Sequence, residues 1–386
     1  MSKICIVTGS RAEYGLMSRL MQLIKEDPEL ELQIIATNMH LSPEFGLTYK
    51  EIETDGFIID KKVHMLLSAD NSNATVKSMG LEMIGFADAY EDLKPDLIII
   101  LGDRYEMLMA ASAALIYKIP ITHIHGGEIT EGAYDDAIRH AITKMSHLHF
   151  TSTEEYRQRV IQLGEYPSTV YNVGALGCDN IRSIKLMNKE ELEASINFKI
   201  DRKTIFVTYH PVTMEDNTAY QQFSELLVAI NSFSDLRIIF TMPNADTNGH
   251  LIIDMIKQYV EQNPEKTIWF NSLGMKRYLS TLQFIGGVVG NSSSGIIEVP
   301  SFHIPTINIG DRQKGRVAAE SVLSCVPTQQ DIQEKLSIIL RPGYLETMSN
   351  IKNPYEKPNT AMAILDIIKS QKINVTKSFY NLFNNG

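Results

Sequence analysis

Short unbroken runs of apolar, often β-branched residues recur along the chain, and the segments between them repeat their apolar positions every three or four residues. The runs occupy residues 4–8, 32–37, 96–101, 119–124 and 148–152, then 205–209, 236–241, 267–270, 284–289 and 306–309. Uninterrupted runs of this length predict strands buried on both faces, as in a parallel sheet. Between them, Leu16, Leu20, Leu23 and Ile24 share one face of a predicted helix. Residues 80–93 form another, stopped by Pro95, and 107–116 an Ala-rich third. The alternation breaks over residues 173–203, where Gly174 and Gly177 precede a charged helix at 189–195, and then resumes. Pro358, Asn359 and Thr360 start a last apolar helix that runs through residue 368. This double alternation predicts an α/β chain of two Rossmann-like, doubly wound domains facing each other across a cleft. Their expected extents are residues 1–178 and 179–368, with an aromatic tail, 369–386, packing back on the first domain through Phe379, Tyr380 and Phe383.

In such folds ligands bind beyond the carboxyl ends of the strands, and the polar motifs of this chain fall there. The first domain offers Arg11 in the turn 9–15, Gly102-Asp103-Arg104, and His123-Ile124-His125-Gly126-Gly127-Glu128. The second offers His210-Pro211, Asn244 to Asp246, Asn271-Ser272 and Gly310-Asp311-Arg312. Between the last two lies Gly290-Asn291-Ser292-Ser293-Ser294-Gly295, a loop of small hydroxyl residues leading from a strand into a predicted helix. Two readings stand for this loop: an anion site made by free N–H groups, hydroxyls and the helix dipole, or a serine-rich turn that caps the helix. In the first, the guest is a phosphate or diphosphate and Glu298 accepts hydrogen bonds from ribose hydroxyls.

Composition narrows the chemistry. The 386 residues are 44% apolar and carry a net charge of −10, which argues against nucleic acid as a partner. The three cysteines, Cys5, Cys178 and Cys325, are scattered and fit a reducing cytoplasm. The N-terminus passes directly into a strand-like run, and no apolar stretch reaches membrane-spanning length. Neither domain carries the glycine triplet of dinucleotide-binding folds or a Walker lysine-serine loop, so nicotinamide and ATPase chemistry are not expected. His123 and His125 alternate along a strand and point to opposite faces, which disfavours a shared metal ion. What remains is a set of carboxylates (Asp103, Glu128, Asp135, Asp136), one histidine on a tight corner (His210) and arginines, Arg11 and Arg104, able to oppose a diphosphate. That combination suits a nucleotide-sugar, with acid–base groups acting on the sugar while the diphosphate leaves. Asp103-Arg104 as a local ion pair, and Asp135-Asp136 as the polar start of a helix, are the competing structural readings.

The ordered blocks GSRAEYG, GDRYE, HIHGGE, DDAIRHAITKMSHLH, TSTEEYRQRVIQLGE, YHP, NADT, GNSSSGIIEVPS and INIGDRQKGR span nearly the whole chain. Together they resemble the hydrolysing UDP-N-acetylglucosamine 2-epimerases, especially the bacterial branch that feeds sialic acid and surface polysaccharide synthesis. The resemblance implies a glycosyltransferase-B-like fold with UDP held mainly by the second domain, and a cytoplasmic homodimer. It implies loss of the C2 proton with expulsion of UDP, then hydration of the resulting 2-acetamidoglucal to N-acetylmannosamine, with no NAD or metal cofactor. The same chemistry on UDP-2,4-diacetamido-2,4,6-trideoxyglucose, and a UDP-sugar glycosyltransferase, are the alternatives. By position, Asp103 matches a catalytic aspartate, Asp135 a second catalytic acid with Asp136 as competitor, and His210 a histidine that assists diphosphate departure. Asn244, Ser272, Ser292, Ser293, Glu298 and Arg312 match nucleotide contacts. Many relatives read His-Ile-Glu-Gly-Gly-Glu and use the first glutamate as their catalytic one. Here that position is His125, so either Glu128 takes the role or His125 serves as acid or base.

Overall fold

The structure is a computed structural model that describes residues 1–67, 71–131, 133–211, 218–243 and 249–382. The chain divides into two compact units, each built on one parallel sheet. The first takes residues 1–128, 135–183 and 356–386; the second takes 129–134 and 184–355.

The first sheet has the order β3-β2-β1-β4-β5-β6-β7. Its strands are β1 (Ser2–Thr8), β2 (Leu30–Thr37), β3 (Lys61–Val63), β4 (Leu97–Leu101), β5 (Ile121–Ile124), β6 (Leu148–Thr151) and β7 (Val170–Asn172). Alternation along β1 fills two cores at once. Ile4 and Ile6 join one apolar cluster with the helices Arg11–Glu26 and Thr360–Ser370, while Cys5 and Val7 join another with Ser72–Leu93 and Tyr105–Tyr117. Burial on both faces explains why the strand shows no polar alternation.

The sequence pattern assigns the last helix to the second domain, but Thr360–Ser370 lies in the first unit. Its stripe Ala361, Ile364, Leu365 and Ile368 packs in the same cluster as Leu20 and Ile24, and Thr360 Oγ1 donates to the Val173 carbonyl at 2.7 Å. Apart from the short excursion at 129–134, the chain passes into the second unit after residue 183 rather than 178. The helix Leu176–Ser183 belongs to the first unit, and Asn180 donates to the Gly15 carbonyl at 3.0 Å.

The second sheet runs β10-β9-β8-β11-β12-β13. Its strands are β8 (Thr204–Thr208), β9 (Arg237–Thr241), β10 (Thr267–Phe270), β11 (Gly287–Gly290), β12 (Thr306–Ile309) and β13 (Val322–Cys325). Ile205 and Val207 pack with Phe223, Leu226, Ile252 and Leu336 on one face, and Phe206 meets Tyr278 on the other. Strand β11 begins three residues later than the apolar run suggests. Phe284 N–H closes the preceding helix turn on the Thr281 carbonyl, Gly286 N–H makes the first bond to Thr204, and the paired register with β8 starts at Gly287. The three free cysteines are buried, and burial raises the thiols of Cys5 and Cys325.

Candidate active site

In the first unit β1 and β4 are neighbours from which the chain winds outward in opposite directions, and β5 follows β4. The turns after β1, β4 and β5 therefore sit at the topological switch point, where open α/β sheets bind ligands. After β1, Ser10 starts the helix Arg11–Glu26 with a reciprocal capping box to Glu13. Gly9 and Ser10 donate their N–H groups to Glu13 Oε2 at 2.7 and 3.2 Å. Gly9 lies against Glu106, whose Oε1 a Cβ would meet at 2.6 Å. Glu13 and Glu106 are both buried; burial, then the nearby Glu106, pushes the Glu13 carboxyl up to about 8. Arg11 Nε pairs with Glu51 at 2.7 Å and Arg104 Nε with Glu106 at 3.3 Å, so the two arginines are held by different carboxylates.

After β4, Gly102 adopts φ +82° and delivers Asp103. After β5, His125 (φ +65°) and Gly127 (φ +80°) bend the chain so that Glu128 turns back into the unit, 2% exposed. Gly127 has no substitute there, because a Cβ would collide with the Tyr156 carbonyl at a left-handed φ. Glu128 Oε1 accepts from Ser152 Oγ at 2.9 Å and lies 3.6 Å from His125 Nδ1. The helix Asp135–Met145 begins with both candidate acids, Asp135 and Asp136. From it Arg139, only 1% exposed, reaches three groups: an ion pair to Asp103, a hydrogen bond to the Glu128 carbonyl at 2.9 Å, and Asp136 at 3.6 Å. Asp103 and the Glu128 turn are thus tied to one guanidinium. His123 lies behind them, fully buried, with Nδ1 3.0 Å from Thr143 Oγ1 and Nε2 2.7 Å from the Gly102 carbonyl. Burial lowers it to about 3, so it is a neutral strut under the Asp103 turn. Among the described residues no group of three or more histidine, cysteine or carboxylate side chains is placed to hold a metal ion.

In the second unit the switch point falls between β8 and β11. His210 follows β8 and the serine loop follows β11, so the same geometry recurs. Asn291, fully buried, joins the two. Its Oδ1 accepts the His210 N–H at 2.7 Å, its Nδ2 donates to the His210 carbonyl at 2.8 Å, and its own N–H bonds to the Thr208 carbonyl at 3.2 Å. The Asn291 carbonyl accepts from Arg312 Nη1 at 3.1 Å and Gln313 Nε2 at 2.9 Å. Ser292 Oγ lies 3.3 Å from Ser294 Oγ, which takes a hydrogen bond from the Tyr278 hydroxyl at 2.9 Å. The helix after the loop is a single turn, Ser294–Ile297, followed by the 3-10 turn Val299–Phe302. That is shorter than the pattern suggests, so the turn carries little macrodipole. No side chain caps this turn. Glu298 is buried beside Tyr278, whose hydroxyl it helps to raise after burial.

Arg139 ties Asp103, Asp136 and the Glu128 turn together, with His125 beside Glu128 and Asp135 opening the same helix; Asn291, which leads into Ser292 and Ser293, ties His210 to Arg312. Ser272 lies at the far edge, after β10, where its Oγ accepts the Gly274 N–H at 3.2 Å. Asn244 lies outside the described residues. Arg139, Ser152 and Asn291 are the organising residues that motif reading does not single out. Arg139 carries a signal all the same, standing one helical turn after Asp135.

A sequence model described as UDP-N-acetylglucosamine 2-epimerase matches residues 22–369. The chain is 48% identical to the GDP/UDP-N,N'-diacetylbacillosamine 2-epimerase (hydrolyzing) of Campylobacter jejuni, over 83% of each chain. It is 40% identical to the polysialic acid biosynthesis protein P7 of Escherichia coli, over 99% of this chain and 98% of that one. Among solved structures, the Neisseria meningitidis UDP-GlcNAc 2-epimerase bound to UDP-GlcNAc superposes with a TM-score of 0.79 at 18% identity, covering 96% of this chain and all of that one. The likeness shows a glycosyltransferase-B-like α/β fold.

Proposed function

The chain belongs to the UDP-N-acetylglucosamine 2-epimerase family, and on that premise we propose that it is a hydrolysing 2-epimerase of a UDP-linked 2-acetamido sugar. The second unit takes the nucleotide: Ser292, Ser293, Arg312 and His210 meet the diphosphate, with Glu298, Ser272 and Asn244 on the nucleoside. The first unit supplies proton transfer. A base among Asp103, Glu128 and His125 removes the C2 proton while the bond from C1 to the diphosphate oxygen breaks and its electron pair leaves with UDP. Water then adds across the double bond of the 2-acetamidoglucal, its hydroxyl to C1 and a proton to C2 on the opposite face, with Asp135 as the second acid. UDP-sugar and water give UDP and the free sugar inverted at C2. Donors fixed before reaction, Arg11 and His210 among them, stabilise the departing charge without reorganisation.

The observation that carries this reading is Arg139, which holds the Asp103 carboxylate and the Glu128 turn from one buried point, the fixed geometry that proton abstraction needs. Of the two sugars, UDP-N,N'-diacetylbacillosamine comes first, favoured by the 48% identity to the Campylobacter jejuni protein. UDP-N-acetylglucosamine, giving N-acetylmannosamine, is the second reading, favoured by the end-to-end match to the polysialic acid protein. Incubation with each UDP-sugar in heavy water tests both readings: the expected product is a free sugar deuterated at C2, with UDP released. A product that lacks solvent deuterium, or still carries UDP, overturns the mechanism, and the ratio of the two kcat/KM values decides the sugar.

A further inference from the structure

The last described residues of the chain form a strap across the first unit, anchored where the helix bearing Asp135, Asp136 and Arg139 ends. A helix leaves its final carbonyls without partners. Here Ser146 returns its Oγ and N–H to the Ile142 and Thr143 carbonyls, and Lys377 takes the next one: Nζ donates to the Lys144 carbonyl at 2.9 Å and to the Ser146 carbonyl just beyond the helix, and pairs with Glu165 at 2.8 Å. Glu165, 2% exposed, also takes Lys144 Nζ at 2.6 Å and His149 Nε2 at 3.1 Å. Burial alone raises this carboxyl, but the bonds from His149, Lys144 and Lys377 outweigh it and bring it down to about 2. On either side the strap's main chain is pinned: the Tyr380 N–H donates to the Gly164 carbonyl at 2.8 Å, and the Val375 carbonyl accepts from His147 Nε2 at 3.0 Å. His147 Nδ1 accepts the Ile121 N–H at 3.2 Å, so this ring donates from Nε2. Phe379 closes the contact, lying against Gly164 (φ +90°) with Lys144 Nζ 4.8 Å from its ring.

We propose that Lys377 is a positioning residue for the candidate catalytic carboxylates, a cation brought from the distant C-terminus to cap the helix from which Arg139 holds Asp103 and the Glu128 turn. A cation at a helix C-terminus satisfies its carbonyls and opposes its dipole. Fixing that end sets where, along the helix axis, the guanidinium presents itself. The catalytic part of the claim rests on the function proposed above; the capping part does not.

The full chain carrying Lys377→Met, which keeps the aliphatic stem and removes the donors, is compared with Lys377→Arg, which keeps a cation. Hydrogen exchange of residues 139–146 and the kcat and KM for UDP release are measured well below each variant's Tm. The expected result is faster exchange in that helix and kcat about tenfold lower with KM within about twofold, as for displaced catalytic groups, with the arginine variant recovering most of both. Unchanged exchange overturns the cap. Faster exchange with kcat within about twofold of wild type leaves Lys377 a merely structural clamp and overturns the positioning role. Should Lys377→Met fail to fold, Lys377→Gln, which keeps a donor without the charge, gives the same comparison. Absence of turnover in the wild-type chain is instead a failure of the function reading, and the exchange result still decides the cap.

Discussion

At the scale of single residues, two buried polar side chains respond to substitution in opposite ways. Asn291 satisfies both main-chain groups of His210 and accepts nothing from solvent. Truncation to alanine removes both bonds from these buried main-chain groups, at about 1–3 kcal/mol. Asn291→Ala is therefore expected to lower the urea midpoint and, by releasing His210, to slow UDP release more than it raises KM; an unchanged kcat would free His210 from this support. Glu13 behaves differently. Its folded carboxyl, raised from 4.5 to about 8 by burial and by Glu106, keeps a proton that the unfolded chain has lost. Between those two values the unfolded state binds fewer protons, so the stability this group contributes is fully present below 4.5, falls as pH rises, and is lost above about 8. Glu13→Gln can still accept the Gly9 N–H and has no proton to lose. A Tm profile from about pH 5 to about pH 9 should be flatter for this variant and lie above wild type at the alkaline end. Parallel profiles would show that Glu13 does not titrate there.

At the scale of elements, what could be read from the chain depends on how much signal each element carries. Central strands such as β1 and β4 announce themselves because both faces are buried, and among the described residues the motifs placed at a strand's carboxyl end are found at one. The short strands β3, β7 and β13 do not, since Lys61-Lys62-Val63 or Val170-Tyr171-Asn172 owe their conformation to a neighbour's ladder rather than to their own pattern. The turn at Ser294 stops early for a reason visible in the sequence: Pro300 has no N–H to return to the Ile296 carbonyl, so the α-helix cannot continue through it. Arg139 and Asn291 were illegible in another sense, because their roles exist only once distant turns are brought together. Gly290 shows how tightly one such turn is built. Its φ is +141°, and any Cβ would run into the Thr208 carbonyl to which the Asn291 N–H is bonded. Gly290→Ala is expected to separate β8 from β11 at this point, seen as loss of the cooperative unfolding transition of the second unit while the first unit's transition remains. A variant with wild-type unfolding would mean that the loop relaxes without this pairing.

At the scale of the whole molecule, the proposed chemistry is divided between two cores, and each half of it should fail separately. Asp103 stands on the first unit and is assigned to proton transfer, so Asp103→Asn should lower kcat by at least about a hundredfold, the usual lower range for an acid–base group, and leave UDP affinity unchanged. Arg312 stands on the second unit and is assigned to the diphosphate. Arg312→Ala should weaken UDP binding and raise KM, with a smaller fall in kcat, because a phosphate contact present in both ground and transition states contributes mostly to binding. His210 is the informative third case. It is assigned to the leaving diphosphate rather than the bound one, so His210→Ala should resemble Asp103→Asn in kcat despite residing on the nucleotide unit. Calorimetric titration with UDP alongside steady-state kinetics separates these outcomes. If His210→Ala instead behaves like Arg312→Ala, losing affinity and keeping kcat, the histidine is a ground-state contact, and the stabilisation of the departing diphosphate falls to Arg11 and the serine loop.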